Sequence, residues 1–405
     1  MDLALQFGAN NNTLCTMVML ALSLALATTE RLEAQSSLTL LNTYIPNWDD
    51  VVSIAISGDN LYLGGTGTEL NVLDISNPVG LVFKGQRFPP FNCIAGDMAV
   101  SGTHAYMTCS YFNFLRVLDV SHSSNIAQTG DIPIGNAFGV CANENYAFVS
   151  SWGYSLLVID VRDPSNPIQV GGCLVPATHL ALDGNYVYTA FGESGKSAGV
   201  FSVVDVGNPL TPLKTGICDL SVGGRVGCVA VNGHYAYVGT SVLDIVDVSN
   251  PANPLHVGTY SGSGAVTGIA FAGRYAYAAS ASGLDILDLS QPANPVLVSR
   301  GPSGPNGPYV VVAVRSDRVY AANQYELALF SCPIPRLSIG VLPDTSKCAI
   351  QLESLPLAAL QLLSKTNLND PWSPLVSVTN ATGTMTLTNL TANPSQCFYT
   401  VRQAP

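Results

Sequence analysis

Asp97, His179 and Cys228 fall at one equivalent position near the start of recurring apolar segments, where the other copies carry Ser53, Gly139, Gly268 and Val311. A carboxylate, an imidazole and a thiol gathered at one opening could form a weak metal site or a polar ligand contact. Three different segments supply them, so nothing in the spacing makes them converge, and hydrogen-bonded or solvated lining residues are the plainer reading. Six more carboxylates, Asp74, Asp119, Asp160, Asp205, Asp247 and Asp288, recur every 41 to 45 residues. Such spacing distributes them around a repeat array, so each is expected to cap a turn by accepting backbone N–H groups. The histidines His104, His122, His179, His234 and His256 are scattered, and no GxSxG, HExxH, P-loop or dinucleotide fingerprint is present. No CxxC or Cys/His zinc spacing exists, so neither a metal nor a cofactor is expected. Aromatic side chains offer another chemistry. Trp48, Phe112, Phe114, Trp152, Tyr154 and Tyr325 stand in loops with polar neighbours, where rings can stack on sugars or anchor a protein contact.

The elements that position these residues follow from composition and periodicity. Of 405 residues, 47% are hydrophobic and only 11% charged, with 37 Gly and 25 Pro, which excludes a disordered polyelectrolyte and a coiled coil and suits a turn-rich all-β protein. The net charge of −11, with 16 Lys and Arg, argues against nucleic acid, because phosphate binding needs a basic surface. A two-part unit repeats through most of the chain. Its first half is an apolar strand, a turn and an aromatic-alternating strand, as in VAVNGHYAYVG at Val229 and IAFAGRYAYAA at Ile269. Its second half is a β-branched run ending in Asp and Pro: LLVIDVRDPSNP at Leu156, LDIVDVSNPANP at Leu243, LDILDLSQPANP at Leu284. This order and period mark a β-propeller blade, and seven copies, the last decayed to YELALF, imply seven four-stranded blades. The seventh copy lacks an outer strand, whereas Ser37 to Pro46 precedes the first copy with no inner strand before it, so the N-terminal strand is expected to close the ring. The loops bearing the aromatic residues, Phe191 and Tyr309 among them, then share one face, with some rings folding inward to cap the channel.

The runs LLVIDV, LDIVDVSNPANP and LDILDLSQPANP resemble the LVIVD-repeat proteins, exported or surface propellers of bacteria and archaea, over residues 37 to 332. Copies three and seven depart from the pattern. The resemblance implies a propeller fold and an extracellular setting, and transfers no catalytic residue.

Residues 1–34 read as a signal peptide. Leu14 to Ala27 is a mostly apolar run too short to span a bilayer, with cleavage after Ala27 or Ala34, although no Lys or Arg precedes it. Removing it with Cys15 leaves nine cysteines, an odd number, in an oxidising compartment. Cys348 with Cys397, and Cys93 with Cys109, are the candidate disulfides, while Cys141 and Cys228 suit small buried hydrophobes. The propeller is expected over 35–334, and six short strands over 335–405 read as a small β-sandwich. LQLLSKTNLNDPWSPL with FYTVR resembles the short β-domains that close many secreted bacterial proteins.

Together these features predict an exported, monomeric, non-enzymatic propeller without a membrane span in its mature form. It would act as a binding or adhesion scaffold for an extracellular protein or carbohydrate. The alternative is a hydrolase or lyase acting on extracellular polymers at the channel mouth.

Overall fold

The computed structural model describes residues 5–8, 38–46, 50–65, 70–77, 79–87, 95–109, 113–151, 155–192, 198–221, 224–262, 264–315 and 318–331, together with six C-terminal strands between 336 and 403. Two compact units emerge: Leu40–Ser331, and Met1–Thr39 combined with Cys332–Pro405.

In the larger unit each repeat is a four-stranded antiparallel sheet, over 51–87, 95–133, 137–174, 179–219, 228–260 and 266–301, with a seventh built on 311–331. Strands run outward in chain order, as in blade 5: Cys228–Asn232, Tyr235–Gly239, Leu243–Asp247 and Leu255–Tyr260. The innermost strands pack one on the next, and that of blade 7, Val311–Arg315, packs on that of blade 1, Val51–Ser57, so the seven form a ring. Blade 7 takes its outer strand from the N-terminal side, Thr39–Tyr44 beside Leu327–Ser331, which is the closure expected for residues 37 to 46. Arg315 fastens the seam by donating to the Ile75 carbonyl at 3.1 Å and pairing with Asp59.

Local sequence explains the blades. The first hairpin turns on a glycine with left-handed φ of 55 to 60° at Gly58, Gly102, Gly184, Gly233 and Gly273. Copy three has Glu144 in place of that glycine, and the preceding Asn143 braces the turn by accepting the N–H groups of Asn145 and Tyr146 on its side chain. The second strand sets one aromatic per blade, Tyr62, Tyr106, Phe148, Tyr188, Tyr237, Tyr277 and Tyr320, all 4% exposed or less. Each pairs with a small residue of the inner strand, namely Ala55, Ala99, Cys141, Ala181, Ala230, Ala270 and Ala313. Room near the axis limits the inner residue, while the ring fills the gap to the next blade. Tyr237 thus packs with Val266 and Ile269 of blade 6, and Tyr320 with Val51 and Leu61 of blade 1.

The outer strand is locked to its neighbour by glycine. Each outer strand of blades 1 to 6 carries a bulge against the third strand. Glycines 85, 130, 171, 216 and 258 of those strands face turn carbonyls of the following blade so closely that a Cβ on Gly216 would lie 2.2 Å from Pro251 O. In the closing strand Asn42 takes this place and donates its side-chain amide to the Val79 carbonyl at 3.2 Å.

In the second unit six strands lie between 336 and 403, in two antiparallel sheets. One sheet holds Arg336–Val341, Lys347–Glu353 and Thr384–Thr391. The other holds Ala358–Lys365, Ser373–Asn380 and Gln396–Gln403, with Leu5–Gly8 pairing at its edge against Gln396–Gln403. Cys348 and Cys397 therefore stand in different sheets. The apolar run 14–27 and both cleavage points lie outside the described residues, and no helix among the described residues is long and apolar enough to cross a membrane.

Candidate functional site

Strand register confirms that Asp97, His179 and Cys228 are equivalent, because each precedes the inner-strand residue paired with the same position of the second strand. The structure nevertheless turns this position toward the adjoining blade. A Cβ on Gly139 would lie 2.6 Å from Thr178 O, and one on Gly268 would lie 3.1 Å from Val310 O. Asp97 follows the same course: its Oδ1 accepts the Met98 N–H at 2.8 Å and its Oδ2 accepts the Val140 N–H of blade 3 at 3.0 Å. Thr108 completes the bridge by accepting the Asp97 N–H at 2.8 Å and donating to the Phe138 carbonyl at 2.5 Å. Burial pushes the Asp97 carboxyl up to about 6, against the opposing effect of the two amides. Burial, then the Arg225 charge, lowers His179 to about 4, and burial raises the Cys228 thiol to about 12. His179 Nδ1 lies 3.3 Å from Thr178 Oγ1. Among the described residues no three His, Cys, Asp or Glu side chains are grouped as a metal ion requires. Cys141 is buried opposite Phe148 and is a free thiol, with Cys173, Cys218 and Cys228.

The six repeated aspartates do what their spacing predicts. Asp74, Asp119, Asp160, Asp205, Asp247 and Asp288 each accept on Oδ1 the N–H two residues on, at 2.7 to 3.1 Å. On the same turn face an open groove is lined by Asp160, Arg162, Asp163, Asn166 and Ile168, with Asp160 and Arg162 ion-paired.

Sequence reasoning missed polar residues in the third strands, three positions before the repeated aspartate. Fully buried Asp244 meets His256 Nε2 at 2.8 Å and accepts the Ser221 N–H at 3.1 Å. Fully buried Asp285 accepts from Arg300 Nε at 2.6 Å and from the Tyr260 hydroxyl at 2.9 Å. In blade 2 the position is Arg116, paired with Asp131 through two bonds of 2.9 and 3.0 Å. Asp244 and Asp285 thereby tie the crossovers from the preceding blades, while Arg116 and Asp131 join the third and outer strands of their own blade; the signal was a polar residue inside otherwise apolar runs such as LDIVD and LRVLD.

On the aromatic loop face the described rings divide. Tyr325 is 54% exposed, whereas Tyr309 is 3% exposed and packs edge-on against Phe330 with centroids 5.9 Å apart. Phe114 is half-buried beneath the Arg116 guanidinium at 4.7 Å. Trp48, Phe112, Trp152 and Tyr154 lie outside the described residues. Cys109 is disulfide-bonded, and its expected partner Cys93 also lies outside them.

Comparison with known proteins agrees with this architecture. The chain is similar in fold to a protein in the crystal structure of the mitotic checkpoint complex, with TM-score 0.59, 12% identity, and 75% of this chain and 94% of that one covered. Kuenenia stuttgartiensis hydrazine synthase gives TM-score 0.55 and 15% identity, covering 69% and 94%. The computationally designed Ika8 protein gives 0.52 and 11%, covering 72% and 99%. At such identities these likenesses concern the fold alone. No curated protein sequence matches the chain. The LVIVD repeat matches residues 50–87, 93–131, 134–175, 176–220, 223–261 and 263–301, which are blades 1 to 6, the divergent third copy included. With six repeats covering more than half of its length, the chain belongs to the LVIVD-repeat family.

Proposed function

We propose that this propeller is an exported, non-enzymatic scaffold that binds an extracellular protein or carbohydrate through its aromatic loop face. The observation that carries the reading is how the ionisable groups of the repeats are used. The six aspartates cap turns, Asp97 bridges two blades, and Asp244 and Asp285 anchor crossovers. The loop face, where Tyr325 is exposed, is left free of these framework contacts at that ring. An exposed ring on a rigid support suits stacking on a sugar or anchoring an interface. The apolar run 14–27 supports export.

A hydrolase or lyase at the channel mouth is the second reading. It is favoured by one observation, an Asp97 carboxyl held at about 6, near the range useful for acid–base chemistry. The test is thermal unfolding of the chain from residue 35 against divalent ions, oligosaccharides and cell-wall polymers. A ligand at 100 times its Kd stabilises by about 2.7 kcal/mol. A rise in Tm with a polymer, without its turnover, is expected. Polymer cleavage, or a rise with metal alone, contradicts the scaffold.

A further inference from the structure

The turn between the second and third strands of blade 7 buries an acid beneath a crossover. Glu326 is 4% exposed, Asn323 2% and Tyr309 3%. Asn323 Oδ1 accepts the N–H groups of Tyr325 at 2.9 Å and Glu326 at 3.0 Å, and its side-chain amide donates to the Gly307 carbonyl at 3.1 Å. Gly307 belongs to the segment PSGPNGPYV, residues 302 to 310, which crosses from blade 6 to blade 7. Within this strap the Gly307 N–H donates to the Gly304 carbonyl at 3.1 Å, and the Val310 N–H donates to the Ala322 carbonyl at 2.8 Å. The strap lies directly on the acid. A Cβ on Gly304 would stand 2.3 Å from Glu326 Oε1 and 2.6 Å from Asn323 Nδ2. Tyr309, at the strap's end, is hydrogen-bonded to the Glu326 carboxyl, while Oε1 is buried without a hydrogen-bond partner.

A buried carboxylate oxygen with no partner is costly when ionised and far less so when the group is protonated. Of the groups facing Glu326, only the Tyr309 hydroxyl offsets that cost, and its hydrogen bond is outweighed by burial. Tyr309 from the strap is neutral, its hydroxyl pushed further up by burial and by the acid itself. Asn323 from its own turn is a neutral amide, Phe330 on the adjoining strand is apolar, and neither the strap nor the turn supplies a cation.

We propose that the 302–310 strap is a pH-operated latch, seated while Glu326 is protonated and released when it ionises, so that the surface beside Tyr325 has two settings. Burial holds the Glu326 carboxyl above the usual glutamate range. The seated state therefore binds the proton more tightly than the released one. Seating is strongest at low pH and declines as pH rises through the raised value, by up to about tenfold in the equilibrium per pH unit. The latch deepens the binding-face reading by making that face conditional on pH, yet its test reads the strap itself and can fail independently of any ligand.

Amide hydrogen exchange of the full chain, corrected for intrinsic rates, decides it. Protection at Gly307 and Val310 is expected to fall in the wild type, by up to about tenfold per pH unit, as pH rises from below the ordinary carboxylate range to mildly alkaline. In Glu326→Gln it should stay level, and in Gly304→Ala it should be lost at every pH while the inner strands remain protected. Three results would overturn the latch: pH-independent strap protection in the wild type, an equal decline in Glu326→Gln, or wild-type protection in Gly304→Ala.

Discussion

Asp97 and His179 occupy equivalent places in blades 2 and 4, and burial moves their titrations in opposite senses. For Asp97 the folded protein favours the protonated acid, so its contribution to stability is greatest below the ordinary carboxylate range and declines as pH rises toward about 6. For His179 the folded protein favours neutral imidazole, so its contribution is complete above the ordinary histidine range and is lost as pH falls toward about 4. Across that shared window the two oppose each other. Asp97→Asn should make stability fall more steeply as pH is lowered, and His179→Gln should make it rise, as read from urea midpoints; an unaltered profile in both variants contradicts the burial account. The turn-capping acids act lower, with Asp74 held at about 2 by Ser76 and then Lys84. Asp205→Ala should cost about 1 kcal/mol in chemical denaturation by leaving the Gly207 N–H without its acceptor. The capping role was legible because six acids at one period admit few other uses. The direction of Asp97 was not, because strand alternation says nothing of which neighbour offers an amide. Glu326 was hidden because YELALF reads only as a decayed repeat.

Between elements, the recurring constraint is the glycine that lets an outer strand touch the next blade's turn. Gly216→Ala would drive a methyl group against the Pro251 carbonyl, a backbone atom that cannot swing aside, and should destabilise by about 2 kcal/mol. Gly135→Ala, at an exposed turn with nothing within 4 Å of the new carbon, is the control and should change little. Equal unfolding midpoints for the two variants would remove the inter-blade lock from the account. Strand order and turn positions were legible from the alternation in YAYVG and the Asn-Pro pairs. The bulges were not, since the outer strands are largely exposed and carry little apolar alternation in which a shift of one residue could be seen.

For the molecule as a whole, the ring depends on a strand taken from the far end of the repeat array. Deleting residues 37 to 46 removes the outer strand of blade 7, exposes the edge of Leu327–Ser331 and breaks the Asn42 contact with blade 1. Thermal unfolding of that variant should begin at lower temperature and lose cooperativity; a wild-type transition contradicts closure by this strand. Blade number and closure could be read from the period and from the unmatched ends. The ligand could not, because a residue such as Tyr325 answers to a partner and not to the repeat, and Trp48, Phe112, Trp152 and Tyr154 lie outside the described residues. The central claim is that function resides on the loop face and that the acids and histidine of the inner ring serve the frame. The direct measurement is the affinity of the wild type, Tyr325→Ala, Asp97→Asn and His179→Gln for cell-surface polysaccharides and peptidoglycan. The account predicts a loss of about tenfold or more, roughly 1.4 kcal/mol, in Tyr325→Ala alone. Binding or turnover that survives Tyr325→Ala and disappears in Asp97→Asn or His179→Gln would contradict it.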